Sequence, residues 1–84
     1  MMQILYFGWV RTRAGHGREE LSPPDDVGTV ADLIDWLKGQ GDGYAHAFEN
    51  AAAIRAAVNQ EIAPHDAEIA DGDEVALFPP MTGG

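Results

Sequence analysis

The run Glu74-Val75-Ala76-Leu77-Phe78-Pro79-Pro80-Met81-Thr82-Gly83-Gly84 decides how the rest of the chain is read. Its first half places Val75 and Leu77 on one face and Ala76 and Phe78 on the other, the two-residue period of a β-strand. Two prolines then end the strand, because proline has no amide hydrogen for a sheet ladder and its ring fixes φ. The two closing glycines carry no side chain and pass where other residues clash. Extended, residues 79–84 reach on the order of 20 Å from the domain. The distinctive chemical group at the tip is a terminal carboxylate. A bare Gly-Gly ending is weak evidence of function, since chain ends often contain glycine. A strand and a Pro-Pro stiffener directly ahead of it are features an incidental tail does not need.

Ahead of the closing strand, Asp71-Gly72-Asp73 reads as a tight turn rather than a calcium loop, whose ligand spacing it lacks. Residues 54–58 alternate Ile54, Ala56 and Val58 against Arg55 and Ala57, a further strand. Asn59-Gln60 turns that strand into a short one around Glu61 and Ile62, and residues 64–70 are irregular. At the other end, Met2-Gln3-Ile4-Leu5-Tyr6-Phe7 is rich in β-formers with apolar residues on both faces, as in a central strand or one whose second face meets a partner. Residues 8–17 read as a polar loop holding Arg11, Arg13 and His16, and Arg18–Leu21 as a second strand paired with the first.

Thr29-Val30-Ala31-Asp32 has the form of a capping box, followed by Val30, Leu33, Ile34 and Leu37 at helical spacing. Lys38 suits the helix dipole, and Gly39 or Gly41 is expected to supply a left-handed cap. Trp36 is expected to be partly buried packing. Residues 44–52 read as a helical turn anchored by Phe48 and then a loop. One main helix across a mixed sheet is an α+β roll, and residues 1–84 are expected to form one domain with 79–84 as its extended tail.

The chain has 84 residues, fourteen acidic against five basic, a formal charge of −9 and no cysteine. This argues against nucleic acid or anionic membrane as partner and excludes side-chain thiol chemistry. Absence of an apolar span or signal segment leads to the expectation of a cytoplasmic protein. Gly39-Gln40-Gly41-Asp42-Gly43 follows a helix instead of opening one, so it is a helix-ending loop and not a phosphate cradle. His16, His46 and His65 lie far apart with no metal-ligand spacing, and no metal site is expected. The body therefore offers no catalytic motif, and attention returns to the terminus. A carboxylate is a poor electrophile until activated, for instance as an acyl adenylate. Attack by an amine then gives a conjugate, and attack by a sulfur donor gives a thiocarboxylate.

Ala57-Val58-Asn59-Gln60, the Asp71-Gly72-Asp73-Glu74-Val75-Ala76 block and the Phe78 to Gly84 run resemble the small subunit family of molybdopterin synthase; Ile4-Leu5-Tyr6-Phe7 with Arg11 and Gly15 resembles its opening segment. The resemblance implies the β-grasp, ubiquitin-like fold. It implies that Gly84 is adenylated by an E1-like enzyme using ATP, with no cofactor bound by this chain. A sulfur donor then converts it to a thiocarboxylate. The tail, with Gly83 giving clearance, enters the large subunit and passes sulfur to a cyclic pyranopterin in molybdenum cofactor biosynthesis. By the same resemblance Phe7, Arg11, Ile62, Phe78, Pro79, Pro80, Met81 and Thr82 meet the partners, and the subunit is not an enzyme on its own. The family often has Arg-Glu where this chain has Arg11-Thr12, and Gly8-Trp9 is unusual there. The alternatives are a sulfur carrier of the thiamine pathway, a ubiquitin-like protein modifier, and a non-catalytic acidic binding domain.

Overall fold

In the computed structural model, which describes residues 1–80, the centre of the sheet is a parallel pair. Strand β1 (Met2–Tyr6) lies beside the last strand of the chain, in register from Gln3↔Glu74 to Tyr6↔Leu77. Each is buried at alternate residues: Met2, Ile4 and Tyr6 on one, Val75 and Leu77 on the other. The elements that follow β1 are α1 (Gly8–Ala14), β2 (Arg18–Leu21), α2 (Val30–Lys38), α3 (Asp42–Ala47), a 3₁₀ turn over Ala51–Ala53, β3 (Arg55–Val58), β4 (Glu61–Ala63) and β5 (Glu74–Phe78). The sheet order is β2-β1-β5-β3-β4, and every pair except β1–β5 is antiparallel.

Helix α2 covers one face of the sheet, and its sequence explains why. The Thr29 side chain accepts from the Asp32 amide at 3.1 Å, while the Asp32 carboxylate accepts from the Thr29 amide at 3.2 Å. This reciprocal capping satisfies donors that otherwise lack partners in the first turn. Val30, Leu33, Ile34 and Leu37 are all fully buried. They join Ile4, Tyr6, Phe48, Ile54, Val75 and Leu77 in the core, and Trp36 is half-buried against it. The irregular segment 64–70 is tied to the start of α2, where Val30 donates to the Ala67 carbonyl and Ile69 to that of Gly28.

Three expectations are corrected. Residues 8–17 are not simply a polar loop, because Gly8–Ala14 is helical. Gly8 turns the chain out of β1 at φ +59°, Val10 inserts fully into the core, and Gly15 closes the helix in the left-handed region at φ 97°. With one fully buried residue, the segment has too little periodicity to announce itself. The end of α2 uses no left-handed cap: Gly39 has φ −87° and donates to the Trp36 carbonyl, while Gly41 opens α3. And α2 is not the only helix packed on the sheet, since Val10 of α1 and Ala47 of α3 are core residues.

The β3–β4 hairpin turns through Asn59 and Gln60 at φ 51° and 72°, the two consecutive left-handed residues that a two-residue hairpin demands. Asn59 also clamps the start of β5. Its amide nitrogen donates to Asp73 at 3.1 Å, and its oxygen accepts from the Glu74 amide at 3.0 Å.

Phe48→Ala is expected to cost about 3–5 kcal/mol, a large share of the roughly 5–15 kcal/mol available to a domain. Thr29→Ala, removing half of the capping box, is expected to cost about 1 kcal/mol. Urea unfolding of both variants checks the ranking, and equal losses would show that the cap is coupled to the core.

Candidate partner interface

The sheet has a second face, and the register shows what lies on it. Arg18 pairs with Leu5, Leu5 with Ala76, Ala76 with Ala57, and Ala57 with Ile62. Paired residues point to the same side, so these five form one row across all five strands. Leu5, Ala57 and Ala76 are half-buried, and Ile62 is 66% exposed. One step toward the end of β5, Phe78 pairs with Arg55. Phe7 extends the ladder beyond β1 by donating to the Leu77 carbonyl at 3.1 Å, and it is 49% exposed. One step the other way from Leu5 and Ala76, the row is polar: Glu20, Gln3 and Glu74. The uncovered face thus grades from acidic to apolar and aromatic toward the end where the chain leaves the sheet.

Pro79 and Pro80 follow directly at that end, both half-buried. Pro79 rests against Gly8: a Cβ on Gly8 would lie 2.8 Å from Pro79 Cγ, closer than carbon atoms normally approach. Gly8 is thus required twice, for its positive φ and for this contact. Arg11 is exposed on α1, with its guanidinium against Gly17, one residue before Arg18. Of the sequence-predicted contact residues, Phe7, Phe78, Pro79 and Pro80 gather at one end of the sheet, and Ile62 lies two strands from β5 on the same face. Met81, Thr82, Gly83 and Gly84 lie outside the described residues. Leu5, Arg55, Ala57 and Ala76 were not singled out as contacts from the sequence; for Leu5 the apolar residues on both faces of β1 were the signal.

On the helical side, Tyr6, His16, Glu19 and Tyr44 form a polar cluster. The Tyr44 hydroxyl donates to Glu19 Oε2 at 2.5 Å, and His16 Nε2 meets the same oxygen. The buried Tyr6 hydroxyl has no hydrogen-bond partner among the described residues. Burial first, then the charge of Glu19, pushes the Tyr6 phenol far above its usual range. Tyr44 is raised too, again by burial first and then by the bond to Glu19. Among the described residues no group of three or more His, Cys, Asp or Glu is placed to hold a metal. A surface concavity of about 450 Å³ lies beside Ser22, Pro24, Asp25 and Asp71, at the opposite end of the sheet from Phe78, and presents no nucleophile aligned with a base.

A mixed sheet grasping a helix places the chain in the ubiquitin-like β-grasp class. The chain belongs to the ThiS family, whose model matches residues 4–84. It is 40% identical over 84 residues to the molybdopterin synthase sulfur carrier subunit of Escherichia coli (strain K12), covering 100% of both chains. The crystal structure of small archaeal modifier protein 1 from Haloferax volcanii is similar with a TM-score of 0.72 and 29% identity, over 95% of this chain and 97% of that one. The fold also matches a chain in the complex of subunits 1 and 2 of the molybdopterin-converting factor from Helicobacter pylori, with a TM-score of 0.63, 19% identity, and 99% and 97% coverage.

The raised tyrosines give the alkaline behaviour a sign. An unfolded tyrosine ionises at about pH 10, while the folded pair resists. Their contribution to stability is complete below that pH and is lost as pH rises through the folded values. Urea midpoints are expected to fall above about pH 10, with phenolate absorbance appearing together with unfolding. A smooth titration of both phenols in the folded protein near pH 10 would contradict this. On the other face, Ile62→Glu is expected to cost no more than about 1 kcal/mol in stability, while weakening binding to the partner proposed below.

Proposed function

We propose that this chain is the sulfur-carrier subunit of a molybdopterin synthase, with the Gly84 carboxyl group as its working group. The observation that carries the reading is the end-to-end match, at 40% identity, to the Escherichia coli molybdopterin synthase sulfur carrier subunit. The composition agrees with it, because a chain without cysteine needs another place to carry sulfur.

The chemistry proceeds in balanced steps. An E1-like partner joins the Gly84 carboxylate to the α-phosphate of ATP and releases pyrophosphate. Hydrosulfide released by a sulfur donor then attacks the acyl carbon, a C–S bond forms, the C–O bond to AMP breaks so that AMP leaves, and loss of the sulfur-bound proton gives a thiocarboxylate. In the large subunit, the thiocarboxylate sulfur attacks a carbon of the cyclic pyranopterin and displaces an oxygen substituent, giving a thioester to the terminus. Water then cleaves the acyl C–S bond, leaving a thiolate on the pyranopterin and a carboxylate on Gly84. This chain supplies presentation throughout. Pro79 and Pro80 aim the tail, Gly83 and Gly84 fit a narrow channel, and the face bearing Phe7, Ile62 and Phe78 docks the large subunit, with Arg11 at its margin. The chain has no activity alone, binds no cofactor, and works in the cytoplasm beside its activating enzyme.

The likeness to a small archaeal modifier protein supports a second reading, transfer of the activated terminus to protein lysines. One experiment separates the two. The protein is incubated with the activating enzyme, ATP and a sulfur donor, and the C-terminal peptide is weighed. The expected product has one terminal oxygen replaced by sulfur, and deletion of Gly84 abolishes it while leaving thermal unfolding unchanged. Lysine-linked adducts with no thiocarboxylate would favour the modifier reading. Retention of only the carboxylate under these conditions would defeat both.

A further inference from the structure

The two tryptophans stand in different surroundings. Trp36 is packed against the core, whereas Trp9 on α1 is 36% exposed and belongs to no part of it. What covers the Trp9 ring is a cation: the Arg13 guanidinium carbon lies 4.5 Å from the ring centroid. Arg13 is in turn held from α3, reaching the His46 carbonyl at 3.4 Å and Glu49 at 3.8 Å. The indole is thus braced by a side chain held from another helix, while part of its ring stays open to solvent.

Its position gives the bracing a purpose. Trp9 follows Gly8, the residue against which Pro79 rests, and Gly8 follows the exposed Phe7. A surface that docks where Pro79 meets Gly8 also faces the start of α1. Arg11 and Arg13 lie on the same short helix, in a protein of net charge −9 with only five basic residues. An aromatic ring and an arginine are residue types that dominate protein–protein affinity, and here Arg13 and Trp9 are ordered against each other before binding, so less side-chain freedom remains to be lost.

We infer that Trp9, braced by Arg13, is a second anchor for the companion subunit that accepts the tail, separate from the sheet face. It fits an apolar recess bordered by carboxylates beside the mouth of that subunit's channel. The inference rests on the sulfur-carrier reading above and adds a determinant of specificity to it.

Replacing Trp36 with Phe leaves Trp9 as the sole tryptophan and its emission as a local probe. Titration of this variant with the purified large subunit is expected to shift the emission to shorter wavelength as the ring leaves water. In the otherwise unchanged chain, Trp9→Ala is expected to weaken binding by about tenfold, with the chain still folded at the assay temperature by circular dichroism and Trp9→Phe recovering part of the loss. Unchanged emission together with full affinity of Trp9→Ala would overturn the inference, while loss of binding by Phe78→Asp in the same assay would leave the sulfur-carrier reading standing. A Trp9→Ala defect confined to the activating enzyme would overturn the assignment of this partner. Failure of the parent chain to bind any large subunit would remove the reading and the inference together.

Discussion

The parallel pairing of β1 with β5 is the constraint on which the rest depends. It places the first and last strands side by side at the centre of the sheet, running the same way, so the chain leaves the fold from its middle. A parallel pair also requires a long crossover, and everything between residues 7 and 74 is that crossover. Within it α2 covers one face, β2 and the β3–β4 hairpin extend the edges, and α1 and α3 close the end beside the exit. Because the ladder continues through the Phe7–Leu77 bond, the start of the Pro-Pro segment is held by the most deeply embedded strand of the domain.

The two faces of that sheet have opposite tasks. On the helical face, fully buried residues from every layer hold the domain together. The other face carries a half-buried apolar row, Leu5, Ala76 and Ala57, that ends in the exposed Ile62. The grading toward Phe78 places the docking face proposed for the large subunit and the start of the Pro-Pro segment on adjacent parts of β5. Arg18 and Arg55 lie on the same rows, and in so acidic a protein that bias favours a partner surface with carboxylates at its rim.

Much of this was readable beforehand, for identifiable reasons. The β5 alternation, the Thr29–Asp32 box, the stripe from Val30 to Leu37 and the Asn59-Gln60 turn are local signals, and each appears where its chemistry placed it. Helix α1 was missed because its burial rests on Val10 and its borders are glycines, which read as loop. The extra row of the interface was hidden because Ala57 and Ala76 become a surface only once three strands are aligned. The Tyr6–His16–Glu19–Tyr44 cluster joins residues from four parts of the chain, and no spacing rule connects them. The residues assigned to chemistry, Gly83 and Gly84, lie beyond the described part and rest on resemblance and on the logic of the tail.

The parallel centre also separates Met1 from Phe78. The N-terminal ammonium meets Asp71 at 2.5 Å, in the turn that leads into β5, a full strand length from Phe78. An affinity handle or fluorophore joined ahead of Met1 would therefore sit at the far pole from the exit, leaving the delivering end unencumbered on a sensor surface.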